Sequence, residues 1–330
     1  MTVLYHSSAN ISIAYTRGME EKHFLQSEQW ERFNKHLGKQ VFTDSGQGWS
    51  YLAILEFTPL GRYLYLPYGP YISGKNGFEG AFNSLHKLAR AKRVMFTRIE
   101  PTGLISTDTL HQYGFHKSRQ VNPEHTWVLD LSASENDVLA GMQQTNRNLY
   151  HNYHKKGLSV HHTTDASKIH YLTDLLGVVA KHNSIHVHTE DYLWAQVDSG
   201  AATLYYVTLD KPEAGTSQPV IAAALVYDSP TTRYYAHAAA DYEHRKLAAS
   251  TILLARMIID AKVKGLKWFD FYGITDSGDP AHPWHGFTKF KKSFGGQAKS
   301  YLGTWEKPRK RGWYAAFKVL SGLKRRLRLH

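Results

Sequence analysis

With 330 residues, 42% of them apolar, the chain can bury the cores of two ordinary domains, and having no cysteine it excludes disulfides, thiolate zinc sites and cysteine nucleophiles together. Its longest apolar runs, such as VIAAALVY at 220–227, are strand-sized, and the first 24 residues hold no apolar core of signal-peptide length, so a soluble cytoplasmic protein is expected. The net charge of +12 is a property of the end of the chain: nine Lys and Arg residues lie between 307 and 328 with no acidic residue after Glu306, leaving about +3 elsewhere.

FLQSEQWERFNKHLG (24–38) reads as a helix with Ser27 as N-cap and Gly38 as its stop. WSYLAILEF (49–57) and RYLYLPYGPY (62–71) read as strands, with PYGP as a turn. The helix FEGAFNSLHKLARAK (78–92) then feeds the strand RVMFTRIEP (93–101). In the joint at 124–160 a strand enters a helix that either Ser132 or Ser134 can cap. Strands ATLYYVTLD (202–210), PVIAAALVY (219–227) and TRYYAHAAA (232–240) precede a long helix, AASTILLARMIIDAKVKG (248–265), and the strand KWFDFYGI (267–274). LHKLARAKRVMFTRIEP and MIIDAKVKGLKWFDFYGI share one grammar: a helix with a basic end feeds an apolar strand that finishes on Glu100 or Asp270. Two similar α/β halves follow from that repetition, and the absence of a low-complexity linker implies that they are tightly joined.

GFTKFKKSFGG (286–296) is the most informative stretch. As a helix it sets Phe287, Phe290 and Phe294 on one stripe at i, i+3 and i+7, and Lys291 falls in that same stripe. Lys289 and Lys292 point elsewhere, and Gly295 stops the helix. An inward ammonium is costly unless something anionic meets it, although a lysine snorkelling from the edge of a packed face fits the same spacing. In DYEHRKLAASTILL (241–254), Arg245, Ala248 and Ser250 have the spacing of the Arg-x-x-Gly-x-Gly/Ala phosphate loop of acyl-CoA-dependent N-acyltransferases, but both glycines are replaced. His182, His186 and His188 cluster in KHNSIHVHTEDY, where His182 and His186 have the i, i+4 spacing of zinc ligands on a helix. No H-E-x-x-H pattern or cysteine accompanies them, so no metal site is expected. In the tail, Trp313, Ala316, Phe317, Leu320, Leu323 and Leu327 recur at helical spacing among the basic residues. Such a helix suits an anionic membrane surface, an RNA backbone, or docking on its own protein with its charges solvated.

FLQSEQWERF, YLPYGPY, the WVLDLSASENDVLAGMQQTNRNLY…KKG segment, FDFYGI and GFTKFKKSFGG…YLG occur in an order and spacing that resemble the Fem aminoacyltransferases. The resemblance runs from about residue 24 to 305. It implies two GNAT-like (N-acyltransferase-like) domains with mixed sheets flanked by helices, 1–128 and 129–302, with 303–330 packing back on the first, and no coiled-coil arm. It further implies transfer of an amino acid from aminoacyl-tRNA to a stem-peptide amine of a peptidoglycan precursor, without coenzyme A or another cofactor. The family's catalytic lysine falls on Lys291. A precursor-contacting lysine near the first helix resembles Lys35, although the usual Trp-x-x-x-Lys spacing lands on Asn34, and the family's Arg-x-x-x-Tyr contact aligns with His188 and Tyr192. Arg245, Lys289 and Lys292 complete the substrate-binding candidates. An acyl-CoA-dependent N-acyltransferase on the same scaffold is the alternative. The basic tail is expected to gather tRNA or to touch the anionic inner face of the membrane.

Overall fold

The computed structural model describes residues 21–74, 76–183, 187–210 and 218–326. Two mixed sheets form it. The first half comprises α1 (Glu28–His36), β1 (Gln40–Gly46), β2 (Trp49–Thr58), β3 (Gly61–Leu66), β4 (Tyr71–Ile72), α2 (Gly77–Ala91), β5 (Phe96–Ile99), β6 (Thr102–Gly103), α3 (Thr107–Gln112) and β7 (His116–Lys117). The second half comprises β8 (His125–Asp130), α4 (Glu135–Gly141), α5 (Gln144–Asn152), β9 (Leu158–Thr163), α6 (His170–Asn183), α7 (Glu190–Asp198), β10 (Thr203–Leu209), β11 (Val220–Asp228), β12 (Thr232–Ala240), α8 (Ala249–Val263), β13 (Trp268–Gly273), α9 (His285–Lys292) and β14 (Gln297–Ser300). The chain then returns to the first half with β15 (Trp305–Pro308) and α10 (Arg311–Arg326).

The first sheet runs β6-β4-β2-β3-β5-β15-β7 with β1 paired to β2, and the second runs β14-β8-β13-β12-β11-β10-β9. In each, the repeated helix–strand grammar builds a parallel pair, β3 with β5 after α2 and β12 with β13 after α8, and the first sheet has a second parallel pair, β4 with β6. β8 pairs with β13 and β14 along its whole length, so a boundary between residues 128 and 129 cuts through a strand; the second sheet begins at His125.

Local signals account for the ends of these elements. Ser27 Oγ accepts from Trp30 N at 3.2 Å, and Gly38 closes α1 at φ 72°. Of the two serines at the joint, Ser134 caps α4 by accepting from Asp137 N at 3.2 Å. On α2, Phe78, Ala81, Leu85 and Ala89 form the buried stripe that covers the first sheet.

The central strands β2 and β11 are buried on both faces, and alternation divides each between two cores. Tyr51, Ala53 and Leu55 face α2, whereas Leu52 and Ile54 join a second cluster. Ile221, Ala222, Ala224 and Val226 face α8, whereas Ala223, Leu225 and Tyr227 enter that same second cluster. The two halves therefore share one apolar interior. At its rim Tyr68, in the PYGP turn, is buried, stacks on His23 with centroids 3.8 Å apart and donates its hydroxyl to Pro123 O at 2.8 Å.

Candidate active site between the two halves

A cleft of about 280 Å³ opens between the halves. The first half supplies Trp30 and Asn34 of α1, Lys39 just after its stop, and Glu56 and Tyr65 of the sheet. His188, Tyr192, Tyr227, His237 and Tyr272 form the facing wall. Lys39 Nζ pairs with Glu56 at 2.8 Å, and Trp30 Nε1 is buried there without a hydrogen-bond partner among the described residues. His188 stacks on Tyr192 with centroids 4.3 Å apart and meets the His237 ring edge-on at 5.3 Å. Desolvation lowers the pKa of both histidines, His237 to about 3, and raises that of the Tyr192 phenol to about 12. Both imidazoles are therefore neutral near pH 7, and His237 Nε2 lies 3.1 Å from the Tyr227 hydroxyl.

The end of β13 forms the floor. A break in the β8–β13 register between Asp270 and Gly273 places Tyr272 at φ 64°, a left-handed conformation that a tyrosine holds only when its surroundings enforce it. The bulge turns Tyr272 into the cleft wall, and at Gly273, where the ladder resumes opposite Thr126, Lys291 Nζ donates to the carbonyl oxygen at 2.5 Å. Asp270 is fully buried, accepts from Tyr272 N at 2.7 Å and from Thr126 Oγ1 at 3.3 Å, and has its pKa raised to about 6 by burial against the opposing pull of Lys299 and Lys291. Burial lowers the Lys291 pKa to about 8 while Asp270 pulls it upward. Near neutral pH this is a half-buried ammonium within the field of a buried carboxylate, bonded one residue beyond a cleft-lining tyrosine.

Lys291 thus points inward, but the stripe that carries it differs from the spacing prediction. Phe294 is buried and Phe290 packs against it with centroids 5.3 Å apart, whereas Phe287 is 66% exposed. Phe287 has the right angular position on α9 but lies one turn beyond the core, at the helix's open end. Thr288 is buried in that turn instead, its Oγ1 accepting from Thr275 N at 3.0 Å. The two glycines after α9 serve approach as well as termination. A Cβ on Gly296, at φ 96°, would lie 2.3 Å from Val128 O, so only glycine lets the chain turn from α9 into β14 beside β8.

Of the other sequence candidates, the structure brings His188 and Tyr192 to the cleft and leaves the rest outside its lining. Lys35 faces away and pairs with Glu31 at 2.7 Å on the exposed side of α1; a 3.6-residue turn puts Asn34 inward, and Lys39 brings the positive charge. Arg245 lies over the Tyr242 ring at 4.3 Å and donates to Tyr242 O, held by its own turn. Lys289 is exposed, and Lys292 sits over the Trp127 ring at 5.1 Å. Spacing did not point to Lys39, His237 or Lys299; only Asp270, as an acidic end to an apolar strand, stood out. His186 lies outside the described residues, as does the side chain of His182, and among the described residues no group of three or more acidic or imidazole side chains is placed to hold a metal.

The FemAB family model matches residues 194–322. Among solved structures, "Crystal structure of FemX" is similar with a TM-score of 0.77 at 15% identity, covering 89% of this chain and 94% of that one. The C-terminal domain of a putative lysylphosphatidylglycerol synthetase from Agrobacterium fabrum has a TM-score of 0.57 at 13% identity, covering 90% and 93%. A tandem GNAT protein from the clavulanic acid biosynthesis pathway has a TM-score of 0.51 at 12% identity, covering 82% and 83%. At these identities the structures establish the fold, a pair of GNAT-like domains. No curated protein matches the sequence.

Proposed function

We infer from the match of the FemAB family model to residues 194–322 that this protein is an aminoacyltransferase, and we propose that it moves an amino acid from aminoacyl-tRNA to a stem-peptide amine of a peptidoglycan precursor in the cytoplasm. The observation that carries this reading is the Lys291 ammonium, which bonds Gly273 O one residue beyond the cleft-lining Tyr272 and feels the charge of the buried Asp270. The amine attacks the ester carbonyl, a C–N bond forms, and the carbonyl oxygen becomes negative. The C–O bond to the tRNA ribose then breaks, and the proton released from the amine ends on the departing ribose hydroxyl. A pre-positioned cation beside that oxygen lowers the barrier because it need not reorganise when charge develops. The cleft contributes position: aromatic walls for an extended acceptor, and Lys39, His188 and the free Trp30 N–H as donors to its anionic or carbonyl groups. No cofactor is needed, since aminolysis of an ester runs downhill. Arg245 is turned onto Tyr242, which gives coenzyme A no guanidinium at the start of α8.

Purified protein given charged tRNA and either a nucleotide-linked or a lipid-linked precursor should yield a stem peptide heavier by one aminoacyl residue, read by mass spectrometry. If neither acceptor is extended while acetyl-CoA supports acylation, the aminoacyl reading fails. Lys39→Ala should raise the acceptor KM roughly tenfold with a smaller change in kcat, because it removes a contact made equally in ground and transition states. Steady-state kinetics with the precursor varied checks this.

A further inference from the structure

α10 rests on the first half by only part of its circumference. Tyr314 and Phe317 place their rings 5.3 and 5.0 Å from Phe96, and the Tyr314 hydroxyl and the Lys318 ammonium both reach Glu306. Trp313, Ala316, Val319 and Leu320 occupy another sector, within about a third of the helix's turn, its centre about 140° around the axis from that of the docked residues. Trp313 is 53% exposed, Val319 62% and Leu320 44%. Packing on this protein therefore does not explain why Trp313, Val319 and Leu320 are apolar. Their surroundings are cationic: Lys310 and Arg311 are exposed at the helix start, and the sequence from 307 to 328 carries nine Lys and Arg residues and no Asp or Glu.

We propose that this outward face docks the protein on an anionic phospholipid surface, with Trp313 and Leu320 seated at the boundary of headgroups and acyl chains and the basic residues on lipid phosphates. An RNA backbone offers charge complementarity but nothing for an aliphatic stripe, whereas a bilayer interface takes both a tryptophan ring and apolar side chains beneath it. The face is separate from the cleft, so the proposal stands or falls independently of the aminoacyl reading.

The test is flotation of the full-length protein with vesicles of phosphatidylglycerol and phosphatidylcholine, and with phosphatidylcholine alone. The protein should float with the anionic vesicles only. Trp313→Ser combined with Leu320→Ser should cut that partition by at least about tenfold, since the buried apolar area is lost. Arg311→Glu should weaken it and shift its salt dependence. Both sets of side chains are exposed, so thermal melts should match the parent and exclude unfolding as the cause. The proposal is overturned if the protein does not float, or floats equally well with both serines. It is equally overturned if the double substitution instead abolishes binding of uncharged tRNA or a concentration-dependent dimer.

Discussion

Lys291→Ala should abolish most of the aminoacyl transfer, lowering kcat roughly 100- to 1000-fold while the KM of either substrate moves little. The expectation rests on where the ammonium is held. Lys291 is half-buried on α9, its nitrogen bonds Gly273 O at the end of β13, and Asp270, whose charge favours its protonated form, is fully buried. Alanine therefore removes a charge that acts when the carbonyl oxygen turns negative and leaves the cleft walls in place. Single-turnover kinetics with saturating acceptor read the chemical step directly. Retention of more than about a third of the parent rate would mean that the cation acts elsewhere.

The pH dependence gives the same residue a second readout. Lys291 titrates near 8 and acts as the protonated form, so the chemical step should decline as pH rises through that value. Asp270, whose pKa is about 6, is ionised throughout that window and pulls the lysine upward. Asp270→Asn removes the pull, and the alkaline limb should move to lower pH. A merely structural aspartate would change the amplitude of the profile and leave its position unchanged.

Periodicity revealed much of this arrangement and failed where tertiary position decides. The inward aim of Lys291 followed from its offset to Phe290 and Phe294, and the cap at Ser27 followed from local chemistry, which at the joint left Ser132 and Ser134 open until the structure showed Ser134. Phe287 shares the same angular face but lies past the end of the core, and an angle carries no information about height along a helix axis. Lys35 illustrates the complementary failure. It sits one position away from the inward Asn34, and the cation that does reach the cleft, Lys39, lies beyond the helix stop, where helical spacing no longer applies. The apolar runs of β2 and β11 marked them as strands but could not show that one of their faces packs on the other half of the molecule. The Asp270–Lys291–Lys299 cluster joins residues from three elements, so no local window contains it.

Glu306→Ala should destabilise the fold by about 3–5 kcal/mol, the usual consequence of stranding one member of a buried ion pair. Glu306 is fully buried on β15 directly opposite Arg98 of β5, and takes two hydrogen bonds from its guanidinium, at 2.8 and 2.5 Å. Its other oxygen accepts from the Tyr314 hydroxyl at 2.6 Å and from Lys318 at 3.3 Å. One carboxylate thus fastens the returning strand to the first sheet and α10 to that strand, and its loss leaves a largely buried guanidinium unpaired. Urea denaturation checks the magnitude, and acid titration separates charge from packing. Burial pushes the Glu306 carboxyl up, but the Arg98 charge and the hydrogen bonds from Tyr314 and Arg98 outweigh it, so the folded pKa lies below the ordinary glutamate value. The stabilisation from this group is therefore complete above the unfolded pKa of about 4.3 and is lost as pH falls through the folded value. Stability of the parent should fall more steeply below about pH 4 than that of Glu306→Gln, which has no charge to lose. Equal acid sensitivity in the two proteins would assign the strand's attachment to backbone pairing and the aromatic contacts on Phe96 rather than to the ion pair.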